Sequence, residues 1–116
     1  MDSRLLSGTL EMLMLEVISS GTTYGYEITQ TVLSRSQGYF ELKEGSVYPA
    51  LHRLEAQKLL KAVWREVDGR RRKYYELTAA GQKELAVKRA EWRAFSDGVE
   101  GTLGGGQTAK ASLFHS

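Results

Sequence analysis

The chain has 116 residues, 41% of them hydrophobic and 26% charged, with a net charge of +2 and no cysteine. This length and composition are typical of one globular domain, and the lack of cysteine excludes disulfide scaffolds, thiol catalysis and cysteine-ligated metal sites. The longest apolar run, residues 12–15, is far too short to span a bilayer, and the N-terminus does not resemble a secretory signal, so we expect a cytoplasmic protein.

Two helices are predicted in the first third of the chain. Residues 5–18 follow a helical period, but apolar side chains surround this helix on nearly all sides, so it needs cover on two faces. Gly21 ends it. Thr22 or Thr23 is a good N-cap for the second helix, because a threonine hydroxyl accepts a hydrogen bond from a free backbone amide. The second helix is expected to end near residues 36–38.

A third helix is predicted from the apolar stripe that Val47, Leu51 and Leu54 form at helical spacing. Pro49 has no amide hydrogen and is tolerated in a first turn. We therefore expect this helix to begin between residues 44 and 46 and to end near residues 57–58.

A β-hairpin is predicted after the third helix. Residues 60–67 and 70–77 are rich in residues that favour strands, and they flank the turn dipeptide Asp68-Gly69. Four consecutive cations, residues 70–73, lie just after this turn. They belong to a segment, residues 43–75, with nine basic and four acidic residues, which favours a polyanionic partner.

A last helix is predicted over residues 79–103. Thr78 is a good N-cap, and Leu85, Trp92 and Val99 repeat every seven residues, which is typical of a helix that packs against a partner helix. The glycine-rich residues that follow are predicted to be a flexible tail.

This order of elements predicts a winged helix-turn-helix, in which the third helix enters the DNA major groove and the hairpin reaches flanking phosphates. The predicted fold class is mainly α with a small two-stranded β-wing and a long C-terminal helix. We expect a DNA-binding domain over residues 1–78, a dimerisation helix over residues 79–103 and the tail over residues 104–116.

The predicted DNA contacts come from the outer side of the third helix, the hairpin and the start of the second helix. They are Ser46, Tyr48, Pro49, His52 and Arg53, then Arg70, Arg71, Arg72 and Lys73, and Tyr24. Two alternatives stay open. The four cations could be an ordinary solvated charge run, and Tyr24 could either donate its hydroxyl to a phosphate or pack.

Three segments, residues 24–28, 42–55 and 69–81, closely resemble the PadR family of bacterial transcriptional regulators. The resemblance implies a homodimeric repressor with an N-terminal winged helix-turn-helix and, as in the short subfamily, a single C-terminal dimerisation helix. It also implies that residues on the third helix contact DNA bases and that residues 70–73 form the wing. In some short members, a tryptophan of the C-terminal helix holds planar aromatic compounds between the subunits.

The predicted dimer interface consists of the apolar residues of the first and last helices: Leu6, Leu10, Leu85, Trp92, Phe95, Val99 and Leu103. Trp92 is either an interface anchor or the contact for a small planar aromatic effector. The expected partners are double-stranded DNA, a second copy of the chain and such an effector, with no membrane.

Neither an enzyme nor a metal site nor a cofactor is predicted. The only other histidine besides His52 is His115, and Ser46, His52 and Glu55 lie on one helix, whose side chains radiate outward and cannot converge as a catalytic triad. Two alternatives to a repressor remain: a winged-helix module that binds a protein, and a protein whose main function is to bind small molecules.

Overall fold

The computed structural model describes residues 8–104. Leu6 and most of the predicted tail lie outside the described residues. The elements follow the predicted order: helices α1 (Leu10–Ser19), α2 (Gly25–Arg35) and α3 (Glu44–Ala56), strands β1 (Leu60–Val67) and β2 (Arg70–Leu77), and helix α4 (Ala79–Leu103). The predicted mainly α fold with a two-stranded wing is confirmed.

Helix α1 is covered by the hydrophobic core, whose residues range from Leu10 to Leu85. Met14, Leu15 and Ile18 are almost completely buried, and Leu13 packs partly buried against the same core. Leu10 lies in this core too, with only 8% of its surface exposed. Its apolar character is therefore explained within one chain, and so little of Leu10 is exposed that a dimer partner could hardly contact it.

The predicted threonine cap of α2 is wrong. Tyr24 holds the N-cap position with an extended backbone and no side-chain cap. Thr23 instead forms a β-bridge with Tyr75, in which the two residues exchange backbone hydrogen bonds of 3.2 and 2.7 Å. The Thr22 hydroxyl donates to Glu76 at 2.8 Å. The Thr23 hydroxyl donates to the Glu27 carboxylate in the first turn of α2, so neither threonine hydroxyl accepts a hydrogen bond from a backbone amide as a cap would.

Helix α3 begins at Glu44, as predicted, and ends at Ala56, one residue earlier than predicted. Pro49 lies in its second turn, so the expectation that it lies in the first turn is wrong. The helical hydrogen bond that Pro49 cannot donate would go to the carbonyl of Gly45. Both residues are exposed, so water can hydrogen-bond to that carbonyl.

The hairpin has the predicted bounds. The strands pair antiparallel from Leu60 opposite Leu77 to Val67 opposite Arg70. Asp68 and Gly69 both have positive φ, 52° and 77°, which is the geometry of a type I′ turn and suits the twist of a two-residue hairpin. We call this hairpin the wing.

The start of α4 packs tightly on the loop before the wing. The Thr78 hydroxyl accepts the Gly81 N–H at 3.0 Å, which confirms the predicted cap, and it donates to the Lys58 carbonyl at 2.7 Å. A Cβ on Gly81 would collide with the backbone carbonyl of Leu59, so this position requires glycine. Leu85 is buried in the core, 2% exposed, so a dimer partner could hardly contact it either.

The chain divides into two compact units, Met1–Leu85 and Ala86–Ser116. The first unit extends past residue 78 because Gly81 and Leu85 pack within it. Within residues 8–104, no helix combines the length and apolar character that crossing a membrane requires.

Candidate nucleic-acid interface

An open groove lies between the start of α2, the exposed side of α3 and strand β2. It brings together most of the predicted contacts from the wing, the α2 start and part of α3. The lining residues are Tyr24, Gly25, Tyr26, Tyr48, His52, Arg71, Arg72, Lys73 and Tyr75. Three elements that are distant in sequence thus supply cations, tyrosines and a histidine to one surface.

Four other predicted contacts lie outside this lining. Ser46, Pro49 and Arg53 are exposed on α3, and Arg70 is exposed at the hairpin turn. They belong to the same two elements as the groove. A duplex that is broader than the groove could contact them as well.

Arg53 is held by an ion pair with helix α1. Its Nε lies 3.3 Å from a carboxylate oxygen of Glu11. Arg53 is the only lysine or arginine of α3, which also carries Glu44 and Glu55. A contact with guanine that uses Nε of Arg53 therefore competes with Glu11, whereas the two terminal guanidinium nitrogens carry further donors.

Lys73 joins the wing to α3. Its Nζ donates to Glu55 Oε1 at 2.8 Å, and both side chains are largely screened from solvent. This hydrogen bond raises the pKa of Lys73 above its usual value. Part of the charge of Lys73 is thus neutralised inside the protein, unlike that of a cation that faces only solvent.

Arg72 contacts two aromatic residues, Tyr24 and Tyr74. Its guanidinium carbon lies 4.3 Å from the centre of the Tyr24 ring, within the range of a cation–π interaction. The Tyr24 and Tyr74 rings meet edge to face at 5.1 Å, and Arg65 of β1 lies 4.8 Å from the Tyr74 ring. The hydrogen bond between Arg72 and Tyr74 raises the pKa of Arg72.

Arg71 packs on the other tryptophan of the chain. Its guanidinium carbon lies 4.6 Å from the Trp64 ring, which remains 51% exposed. Trp64 pairs with Lys73 across the sheet, so the indole and both cations lie on one face of the wing. The sequence predicted the hairpin but not this contact between Trp64 and the cations.

Gly25 and Tyr26 are groove residues that sequence analysis missed. A Cβ on Gly25 would lie 2.7 Å from a ring carbon of Tyr48, so the missing side chain lets the Tyr48 ring pack against the start of α2. Tyr26 is 60% exposed. The available signal was that both residues belong to residues 24–28, one of the three segments that carry the family resemblance.

The predicted interface residues of the second unit form an apolar strip. Trp92 and Phe95 have ring centres 6.0 Å apart, and with Val99 and Leu103 they are between 40% and 75% exposed. Phe95, Val99 and Leu103 also line a shallow apolar groove. Among residues 8–104, the histidine, aspartate and glutamate side chains do not gather in a group that could hold a metal ion.

Comparisons with known proteins identify the family. The model of the transcriptional regulator PadR-like family matches residues 14–87, from the middle of α1 through α2, α3 and the wing to the start of α4. Transcriptional regulator Rv3488 of Mycobacterium tuberculosis is 40% identical over 92 residues, which cover 79% of this chain and 80% of the relative.

Similar solved structures belong to the same family. A PadR family transcriptional regulator from Eggerthella lenta is 32% identical with a TM-score of 0.76, covering 86% of each chain. A PadR-like transcriptional regulator from Bacillus cereus is 32% identical with a TM-score of 0.75, covering 86% of this chain and 96% of its own. These proteins are transcriptional regulators, a class that is typically not enzymatic. This chain belongs to the PadR-like family of transcriptional regulators.

Proposed function

We propose that this protein is a transcriptional repressor that binds an inverted-repeat operator as a homodimer. The observation that carries the proposal is the placement of Tyr48 and His52 of α3 beside Arg71 and Arg72 of the wing in one open groove. A helix with exposed polar side chains next to a cationic hairpin suits a duplex, which offers base edges in its major groove and phosphates on either side.

Helix α3 and the wing contact different parts of the DNA. Helix α3, the recognition helix, contacts base edges through Ser46, His52 and their neighbours, because its exposed side is polar and small enough to enter the major groove. The wing contacts phosphates through Arg70, Arg71 and Arg72, which we call the wing arginines. Phosphate contacts determine affinity and register, and base contacts determine the sequence.

Dimerisation through the second unit is supported by its exposed apolar strip. Trp92, Phe95, Val99 and Leu103 follow helical spacing on α4, and a second copy of the same strip would cover them. Twofold symmetry would place the two recognition helices in successive major grooves, about 34 Å apart. The operator is then an inverted repeat, and a dimer bound over a promoter excludes the polymerase.

Selection of bound fragments from random double-stranded DNA tests binding, symmetry and sequence choice together. We expect an enriched inverted repeat whose half-sites lie one helical turn apart, and an affinity that falls steeply with salt. Enrichment of no sequence, with salt-insensitive binding to a protein instead, would favour a protein-interaction module.

The dimer interface is tested by Val99→Asp, which places a charge in the apolar strip. We expect this variant to sediment as a monomer and to lose operator binding. Val87→Asp is the matched control, because Val87 is also exposed, 51%, but lies on a different side of the helix from Trp92 and Val99. Dimeric Val99→Asp protein would contradict the proposed interface.

An effector that releases DNA is the finer part of the proposal. The exposed pair Trp92 and Phe95 offers stacking surface to a planar aromatic compound. Such a compound releases DNA only if it prefers a dimer geometry with the wrong helix spacing. In a Trp64→Phe variant, whose remaining indole is Trp92, we expect planar compounds to quench fluorescence and weaken operator binding together. Quenching without loss of DNA affinity would indicate a protein whose main function is to bind small molecules.

A further inference from the structure

Tyr24 lies where the wing meets the start of α2. One wing cation, Arg72, packs over its ring at 4.3 Å, and one wing ring, Tyr74, meets it edge to face at 5.1 Å. Arg65 from the neighbouring strand lies over the Tyr74 ring at 4.8 Å, so the two rings lie between two cations in the order Arg72, Tyr24, Tyr74, Arg65. The Tyr24 ring thus contacts both a cation and a ring of the wing.

The backbone around Tyr24 is fixed on both sides. Before it, Thr23 is bridged to Tyr75 of strand β2 by two backbone hydrogen bonds. After it, the Tyr24 carbonyl accepts the Ile28 N–H at 2.9 Å, the first hydrogen bond of α2. The ring therefore projects from a constrained backbone rather than from a loose loop.

The next residue contacts the recognition helix. Gly25 is buried, and the Tyr48 ring of α3 packs against it so closely that a Cβ would collide with the ring. Two consecutive residues, Tyr24 and Gly25, therefore touch the two elements proposed to bind DNA. Through them the position of Arg72 is defined relative to the recognition helix.

An arginine that contacts a phosphate must give up side-chain freedom, which opposes binding. Stacking on an aromatic ring restricts a guanidinium before the duplex arrives, so less freedom is lost on binding. We infer that Tyr24 is a positioning residue that orients the Arg72 guanidinium for phosphate contact, while making no essential DNA contact of its own. This inference rests on the proposed DNA-binding function.

The inference separates the two roles that the sequence left open for Tyr24. A phosphate contact would need the hydroxyl, whereas orientation of Arg72 needs the ring. Tyr24→Phe keeps the ring and removes the hydroxyl, and Tyr24→Leu removes the ring. We expect Tyr24→Leu to weaken DNA binding about two- to fivefold for each wing, which is the range of an exposed cation–π interaction. Tyr24→Phe should keep most of the wild-type affinity, because it keeps the ring.

The effect should pass through Arg72. In an Arg72→Ala background, Tyr24→Leu is expected to cause no further loss of DNA affinity, because the group that it orients is gone. Tyr39→Leu is the matched control: Tyr39 is 61% exposed and packs on Phe40, outside the groove. Thermal unfolding of each variant shows whether a loss of affinity reflects a loss of fold.

Side-chain NMR of the DNA-free protein provides a second measurement. The Tyr24 ring should shift the Arg72 side-chain protons upfield, and this shift should persist in Tyr24→Phe and vanish in Tyr24→Leu. Equal loss of binding in Tyr24→Phe and Tyr24→Leu, or equal loss with and without Arg72, would overturn the inference while leaving DNA binding itself intact. Wild-type protein without salt-dependent DNA binding would overturn the proposed function, whatever the NMR shifts.

Discussion

The recognition helix and the wing lie side by side but differ in charge. The recognition helix has a single arginine, Arg53, which pairs with Glu11, and two glutamates. Strand β2 begins with four cations, of which Lys73 pairs with Glu55 while Arg71 and Arg72 pack on aromatic rings. The positive charge of the groove therefore comes from the wing.

This difference implies a separation of affinity from sequence choice. A cationic wing binds any duplex through phosphates, and its binding depends on salt. A recognition helix without surplus positive charge adds little to such binding, so its exposed polar side chains act mainly through base edges. Substitutions in the wing should therefore weaken binding to all DNA, whereas substitutions in the recognition helix should weaken binding mainly to the operator.

Loss of the wing arginines should have the largest effect. With Arg70, Arg71 and Arg72 replaced by alanine, the slope of log affinity against log salt should fall by roughly 2.7 per protomer, since each phosphate contact contributes about 0.9. At ~0.1 M salt this corresponds to a loss of more than about 100-fold, for operator and random DNA alike. Fluorescence anisotropy titrations at several salt concentrations measure both quantities.

Arg35→Ala is the control for the triple variant. Arg35 is an exposed cation at the last position of α2 that donates to Ser20, away from the groove. Its loss changes the net charge of the same unit without removing a phosphate contact. An unchanged salt slope in the triple variant would refute the wing assignment.

His52→Ala should have a smaller and more selective effect. His52 lies on the exposed side of the recognition helix and lines the groove. Loss of a base contact costs about 1–3 kcal/mol of discrimination, so operator affinity should fall about 5- to 150-fold while random DNA binds as before. Parallel titrations with selected and scrambled duplexes measure this ratio. Gln57→Ala, just beyond the helix end, serves as the control, and an equal loss on both duplexes would place His52 among the phosphate contacts.

Much of this architecture could be predicted from local sequence. Asp68-Gly69 forms a tight turn, which also determines the strand register. The Thr78 hydroxyl caps α4 by accepting the N–H of Gly81, three residues away. Both features depend only on residues that are close in sequence. The same local reasoning failed for Thr23, because its backbone pairs with the distant Tyr75 and the N-cap position falls on Tyr24 instead.

The sequence predicted which helices and strands form the candidate site, but it did not predict the ion pairs between their side chains. Periodicity places Arg53 and Lys73 on exposed faces, but it cannot show that Glu11 and Glu55 are within hydrogen-bonding reach. These pairs depend on how helices and strands pack, which one sequence does not specify. The sequence therefore predicted which cations lie on exposed faces, but not which of them are also held by carboxylates.

Lys73→Ala and Arg70→Ala test whether a wing cation that is paired with a carboxylate contributes to phosphate binding as an exposed one does. Lys73→Ala should lower the free energy of unfolding by about 0.5 kcal/mol, typical of a partly screened ion pair, and change the salt slope little. Arg70→Ala should do the reverse, lowering the slope by about 0.9 per protomer at unchanged stability. Denaturant unfolding and salt titrations separate the two variants. A fall of about 0.9 per protomer in the salt slope of Lys73→Ala would show that Lys73 contacts a phosphate.

The smallest effect concerns the far end of the wing, where Glu76 holds strand β2 to the rest of the unit. Its carboxylate accepts the Thr22 hydroxyl at 2.8 Å and lies 3.6 Å from Lys61 Nζ. The hydrogen bond from Thr22, followed by the charge of Lys61, holds the pKa of Glu76 below its usual value of 4.5.

A carboxyl group whose pKa is lowered by folding stabilises the folded state above its unfolded pKa, and this contribution disappears as the pH falls through the folded pKa. The wild type should therefore unfold at a higher temperature than Glu76→Gln at neutral pH, and the two should converge below about pH 4.5. Glu66→Gln, exposed near the hairpin turn, controls for the loss of one negative charge. A difference between wild type and Glu76→Gln that stayed constant down to about pH 3 would show that the charge of Glu76 does not hold the wing.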